Sequence, residues 1–304
     1  MQRFLELITR FTLRLLVRPV LQNTRLSFAT QRRFAALFGR TLPFPAEVEV
    51  SALEAGGCRV HRIAPPGPRN PATTPAILYA HGGGFVLGGI ETHGALAARL
   101  AVASGADVYL PDYRLAPEHP APAPSDDLFA AWRLILDRGH DPARTAIAGD
   151  SAGGTLAITT ARAIREMGAP RPAAMALISP VTDLSTSGNS VVTNERHDLL
   201  LSPAWLRLGC RAHAGSLSLT DPEISPLFGD LSRLPPTLVQ VAEREVLLDD
   251  AVRFADRAWA AEVEVELQRF PGLWHDFQLS AGILRIADEA IADIGGFLRR
   301  RWEG

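Results

Sequence analysis

Ser151 lies in Gly149-Asp150-Ser151-Ala152-Gly153-Gly154, directly after the apolar run Thr145 to Ala148 and at the head of a helical pattern that opens at Ala152. A strand, a sharp turn and a helix in that order lift a serine hydroxyl to the tip of the turn, the pattern of a nucleophile elbow. Glycines two residues before and two after the serine let strand and helix close on each other where a side chain would collide. The competing reading of a glycine-rich turn before a helix is a phosphate loop. The spacing here is not G-x-G-x-x-G, and no lysine follows to meet a phosphate.

A second constellation is His81-Gly82-Gly83-Gly84, placed straight after the apolar strand Ala76 to Ala80. Consecutive glycines leave backbone N–H groups uncovered. The amides of Gly83 and Gly84, joined by that of Ala152 at a helix N-terminus, could therefore receive a developing oxyanion. His81 precedes the loop it would have to face, so its expected role is a hydrogen bond that holds the loop rather than proton transfer.

A serine hydroxyl needs a base. His275, in Pro271-Gly272-Leu273-Trp274-His275-Asp276-Phe277, follows the last strand pattern and comes after Ser151 in the order such a triad requires. His61, His93, His119, His140, His197 and His213 lack that position. The third member, which fixes the imidazole tautomer and balances the imidazolium, is expected after the strand Thr237 to Val241. Glu243, Glu245, Asp249 and Asp250 crowd there. Glu245 is favoured, with Asp249 the alternative, because Asp249 and Asp250 lie a turn into a helical pattern where solvent-facing acids are ordinary.

The elements that must position these groups follow from periodicity. Candidate strands are 47–52, 58–64, 76–80, 107–110, 145–148, 175–178, 237–241 and 264–270. Several are continuous apolar runs, as expected of parallel strands buried on both faces. Helical patterns at 94–104, 125–138, 152–167, 248–261 and 283–301 alternate with them, which argues an α/β architecture: an eight-stranded, mostly parallel sheet flanked by helices. Residues 1–45 read as helices, and 185–231 as a helical insertion. The two are expected to pair as a cap over a core made of 46–184 and 232–304, all in one structural domain.

The 304 residues carry a formal net charge of −2, so nothing points to nucleic acid. All 31 basic residues are arginine, which excludes a P-loop lysine, a Schiff base and a Ser-Lys dyad. Cys58 and Cys210 fit no metal spacing and are read as structural. Near the N-terminus Phe4, Leu5, Leu7, Ile8, Phe11, Leu15 and Leu16 form an apolar stripe broken by Glu6, Arg10, Arg14 and Arg18. Those charges argue against a membrane span or a signal segment and for an amphipathic helix packed on the body, in a cytoplasmic protein. A peripheral anchor is the minor alternative.

Taken together, HGGG at 81–84, DYRLAPEHP at 112–120, GDSAGG at 149–154, LPPTLVQV at 234–241 and the His275 loop resemble the hormone-sensitive-lipase-like family of esterases and lipases. The resemblance covers the chain from about Glu47 onward. It implies an α/β-hydrolase fold with a helical cap, and a carboxylesterase with Ser151 as nucleophile, His275 as base and Gly83, Gly84 and Ala152 as oxyanion donors. It implies no metal and no cofactor. The family usually carries Asp in a D-P-L context at the acid position, whereas this chain has Glu245-Val246-Leu247. The expected substrates are small, short-chain acyl esters, with lactones and aryl acetates also open. The alternatives are a non-catalytic small-molecule receptor on the same fold and an amidase or deacetylase. A homodimer across an exposed sheet edge is compatible with the sequence and not required by it.

Overall fold

A computed structural model describes residues 1–302. The N-terminal helix α1 (Gln2–Thr12) passes through a wide π-helical turn at Leu13–Val17 into α2 (Arg18–Leu21), and α3 (Phe28–Gly39) follows. Ser27 caps α3, its hydroxyl accepting the Thr30 amide at 3.2 Å. The body then runs β1 (Glu49–Ala55), β2 (Cys58–Ala64), β3 (Ala76–Ala80), α4 (Ile90–Ser104), β4 (Asp107–Pro111), α5 (Ala123–Asp137), β5 (Thr145–Asp150), α6 (Ala152–Glu166) and β6 (Ala174–Ile178). After α7 (Ser190–Thr193) and α8 (Pro203–Ala214) come β7 (Thr237–Ala242), α9 (Leu248–Ala260), β8 (Val265–Phe270) and α10 (Arg285–Trp302).

The strands form one sheet in the order β1-β2-β4-β3-β5-β6-β7-β8. Only β2 runs against its neighbours, so the sheet is mostly parallel as the apolar runs indicate. Residues β3 through β7 are buried throughout, and alternate side chains feed two cores. Leu78 and Ile147 pack with Trp132, Ile158 and Phe254 from α5, α6 and α9. Ile77 and Tyr79 pack with Leu100, Ile291 and Phe297 from α4 and α10 on the opposite face. This is the α/β-hydrolase sheet with helices on both sides. The strand order reverses between β3 and β5, which are paired, so their carboxyl ends open the crevice where such sheets bind ligands.

Three sequence expectations are adjusted. Helix α4 begins at Ile90 rather than Gly94, because Gly94 is an internal position pressed against Phe44 and Ile90 and not a helix start. In 185–231 only α8 exceeds one turn. At its start Ser185 and Ser187 donate their amides and hydroxyls to Asp183, and such local bonds favour turns over helix. The apolar stripe of α1 is only partly packed inward: Leu5 lies against the core, whereas Phe4, Leu7 and Phe11 are 64%, 65% and 62% exposed. The rotation of that helix is set by buried Leu13 and Val17 and by Arg10, which donates to the Gly272 carbonyl and lies over the Trp274 ring. No helix among the described residues is long and apolar enough to cross a membrane.

Helix α10 crosses α4 closely at Gly295, where an added Cβ would meet the carbonyl group of Ala103 at 2.6 Å, while the neighbouring Gly296 has no atom nearer than 3.7 Å. Alanine ordinarily stabilises a helix interior relative to glycine by up to about 1 kcal/mol. Gly296→Ala is therefore expected to hold or raise the melting temperature. Gly295→Ala is expected to lower it, by an overpacking cost of about 1–3 kcal/mol. Equal melting temperatures in thermal unfolding would contradict this packing.

Candidate active site

Ser151 sits between β5 and α6 with φ +51° and ψ −120°, backbone values that a residue with a Cβ adopts only under strain. Its neighbours make this turn possible. A Cβ on Gly149 would strike the carbonyl of Gly153, and one on Gly153 would strike the carbonyl of Ala80 in β3. The Ser151 amide donates to Ile178 and its carbonyl accepts from Val181, so β6 holds the turn as well.

The serine hydroxyl lies 3.0 Å from Nε2 of His275, and Nδ1 of that ring lies 3.1 Å from Oε1 of Glu245. An ionised carboxylate only accepts hydrogen bonds, so Nδ1 carries the proton and Nε2 is left to accept from Ser151. Glu245 is fully buried in the turn after β7. Its second oxygen accepts from the Ser179 hydroxyl at 2.7 Å and from the Ala242 amide at 3.0 Å. A serine hydroxyl, an imidazole and a buried carboxylate in series form the arrangement that generates an oxygen nucleophile at neutral pH.

The other acids after β7 lie elsewhere. Glu243 pairs with Arg269, Asp249 accepts the Ser190 amide, and Asp250 accepts the amides of Thr182 and Asp183. Asp249, the alternative acid, thus does not meet His275; Glu245 does.

Among the described residues, no protein acceptor takes the amide protons of Gly83, Gly84 or Ala152. Gly83 and Gly84 line the same cavity as Ser151 and His275, and Ala152 is the first residue of α6. The glycine loop is held from below. The Nδ1–H of His81 donates to the Gly82 carbonyl at 2.8 Å, its ring stacks on Tyr113 at 4.1 Å, and the Tyr113 hydroxyl donates to the His81 carbonyl. Burial lowers His81 to about 4, so it is neutral near pH 7. From above, the Trp205 ring closes on Gly84, where a Cβ would come within 2.6 Å of it. The Trp205 indole donates to Gln31 of α3.

Several participants carry no signal in the sequence pattern. Asn194 bonds the carbonyls of Glu243 and Glu245, and Asp198 accepts the amide of Val246, so the segment after β6 fixes the glutamate turn. Beneath the elbow, Asp150 accepts from the Tyr79 hydroxyl and faces His93 at 3.1 Å. Burial alone would raise Asp150, but His93 and Tyr79 outweigh it and hold it below the usual carboxylate range. The least expected neighbour is Asp276. It adopts φ +50°, and its Oδ2 lies 3.0 Å from Nε2 of His275, the nitrogen that also meets Ser151. Burial raises Asp276 to about 7. Burial would lower His275, but Asp276 and then Glu245 more than offset this and hold it well above its ordinary value.

The cavity in front of these groups has a volume of about 330 Å³. Its walls are mainly apolar and come from α1 and the turn after it (Leu5, Leu13), α3 (Phe38), the segment between β6 and β7 (Leu201, Trp205) and the region after β8 (Leu279, Ile283).

Residues 77–279 match the family described as the alpha/beta hydrolase fold. The chain is 36% identical over 259 residues to an esterase of Acinetobacter venetianus, covering 85% of this chain and 84% of that one. It is 38% identical over 227 residues to an ethyl acetate hydrolase of Pseudomonas putida, covering 71% and 70%. The crystal structure of an esterase from the bacterial hormone-sensitive lipase family superimposes with a TM-score of 0.91 at 36% identity, over 96% of this chain and 98% of that one. The chain belongs to the hormone-sensitive lipase family of α/β-hydrolase esterases. In this family member the ends of β3, β5 and β8 meet around one cavity, and the turn after β7 joins them through the bond from Glu245 to His275.

Removing the Asp276 charge is expected to lower the pKa of His275, since an anion 3.0 Å from Nε2 favours the imidazolium. In Asp276→Asn the His275 ring resonances, followed by proton NMR, should titrate at a pH lower by about one unit or more. An unchanged or raised midpoint would contradict the close contact.

Proposed function

We propose that this esterase hydrolyses small esters with short acyl chains through a covalent acyl-Ser151 intermediate. The observation that carries the reading is the continuous hydrogen-bonded series Ser151–His275–Glu245 opening on an apolar cavity beside three unclaimed amides. In acylation the Ser151 oxygen attacks the ester carbonyl carbon while its proton passes to Nε2 of His275. The amides of Gly83, Gly84 and Ala152 receive the negative oxygen, and each such donor is worth about 3 kcal/mol in the transition state. Collapse of the tetrahedral intermediate breaks the bond to the alcohol oxygen, which leaves with the proton from His275. Water then attacks the acyl-serine, again giving its proton to His275, and the acid is released with Ser151 restored.

Glu245 keeps Nδ1 protonated and balances the imidazolium charge throughout. The role of a cap over the acyl group falls to the cavity-facing side chains of residues 1–45 and 185–231, such as Leu5, Leu13, Leu201 and Trp205, which supply much of the apolar wall. Two features support short chains. The cavity of about 330 Å³ is at the small end of the range of roughly 300–1,000 Å³ usual for ligand pockets. A relative at 38% identity is an ethyl acetate hydrolase.

Hydrolysis of p-nitrophenyl acetate, butyrate, octanoate and palmitate tests both parts. Turnover is expected to be fastest on acetate or butyrate and to fall away towards palmitate. Ser151→Ala should lower kcat by about 10⁶-fold. A maximum on palmitate would overturn the chain-length reading, and retained turnover in Ser151→Ala would overturn the nucleophile.

A further inference from the structure

The first 40 residues hold eight arginines and a single acid, Glu6, a net charge of +7 in a chain whose total is −2. Arg10, Arg32 and Arg40 are paired with Glu6, Glu118 and Glu91. Arg3, Arg14, Arg25 and Arg33 are exposed and meet no acid among the described residues. On the same segment Phe4, Leu7, Phe11, Leu15 and Leu16 are each more than half exposed. Leaving five large apolar side chains in water along one helix is unfavourable, and contiguous patches of this kind mark contact surfaces. The inner side of the same helical stretch, at Leu5, Thr9, Thr12 and Leu13, lines the cavity that reaches Ser151.

We propose that the outer face of α1 and the turn after it dock reversibly on an anionic lipid surface, so that the cavity behind them takes its ester from the bilayer. An amphipathic helix with arginines beside bulky apolar side chains lies in the headgroup region, its apolar side buried and its cations near lipid phosphates. The charge decides between this occupant and a second copy of the chain. An isologous dimer through this face would set the exposed Arg3 and Arg14 of one copy near those of the other, whereas an anionic membrane neutralises them. The substrate class narrows accordingly to short-acyl esters of hydrophobic alcohols that partition into lipid. Delivery of such an ester rests on the hydrolase reading above; docking does not.

The test is cosedimentation of the full chain with vesicles of phosphatidylcholine and phosphatidylglycerol, against vesicles of phosphatidylcholine alone. Binding is expected on the mixed vesicles at low salt, with loss at high salt and weak binding on the neutral ones. Arg3→Gln/Arg14→Gln should lower the partition coefficient roughly 30-fold, at about a factor of ten or less per cation. Phe4→Ser/Phe11→Ser should abolish retention. None of these four residues lines the cavity, so hydrolysis of p-nitrophenyl acetate should be unchanged in both variants, which also reports an intact fold. Normal hydrolysis with no binding to anionic vesicles, or binding untouched by both double substitutions, would overturn the docking proposal. So would a dimer in sedimentation velocity that Phe4→Ser/Phe11→Ser dissociates. Vesicle binding without any ester hydrolysis would keep the docking and sink only the hydrolase reading.

Discussion

Everything at the site depends on holding Ser151 in a left-handed backbone conformation between a buried strand and a buried helix. That conformation costs on the order of 1–3 kcal/mol and persists only where the surroundings leave no alternative. Here they leave none. Gly149 and Gly153 are so close that neither tolerates a Cβ, Gly153 lies against the carbonyl of Ala80, and the serine amide is bonded to β6. The same closeness brings the end of β3 beside the end of β5, so the glycine loop and the serine face one cavity by construction. The polar groups below, His81 on Tyr113 and Asp150 with Tyr79 and His93, fill the space that the strained turn and the glycine loop leave open.

The second constraint is electrostatic. Glu245 and Asp276 lie within 3.1 Å of opposite nitrogens of His275, and Asp198 is buried nearby. Glu245 is satisfied by three donors and is fixed in place by Asn194 and Asp198, which act on its turn. Asp276 has one oxygen without a partner and faces the cavity. The two carboxylates therefore differ in kind. One is bonded to Nδ1, the nitrogen that carries the proton, and the other stands beside Nε2, the nitrogen that faces Ser151. A negative charge there favours the imidazolium and makes it harder to deprotonate.

Much of this was legible in the chain. The parallel strands announce themselves as short apolar runs bounded by glycine and proline, and all eight candidate runs overlap a strand. Motifs at strand ends are also legible, because a backbone requirement such as the elbow restricts residue identity locally. Gly149, Gly153, Gly83 and Gly84 are of that type. What could not be read is what depends on contacts between distant segments. Ser179, Asn194 and Asp198 are ordinary polar residues in sequence, and only the folding of the β6 and β7 ends against each other turns them into supports for Glu245. The position of Asp276 relative to His275 depends on a positive φ at a residue other than glycine, which no local pattern announces. The rotation of α1 is not legible locally for a similar reason. Arg10 anchors to the carbonyl of Gly272, 262 residues away, and lies over Trp274, an arrangement that leaves Phe4, Leu7 and Phe11 facing outward.

The central claim is that Ser151 alone among the hydroxyls is activated, through His275 and Glu245. Incubation with diethyl p-nitrophenyl phosphate, followed by intact-mass measurement and peptide mapping, tests it most directly. The account expects one diethylphosphoryl group per chain, located on Ser151 with release of one p-nitrophenol, and no adduct on Ser151→Ala. An unmodified wild-type chain, or a phosphoryl group mapped to any other residue, would contradict it.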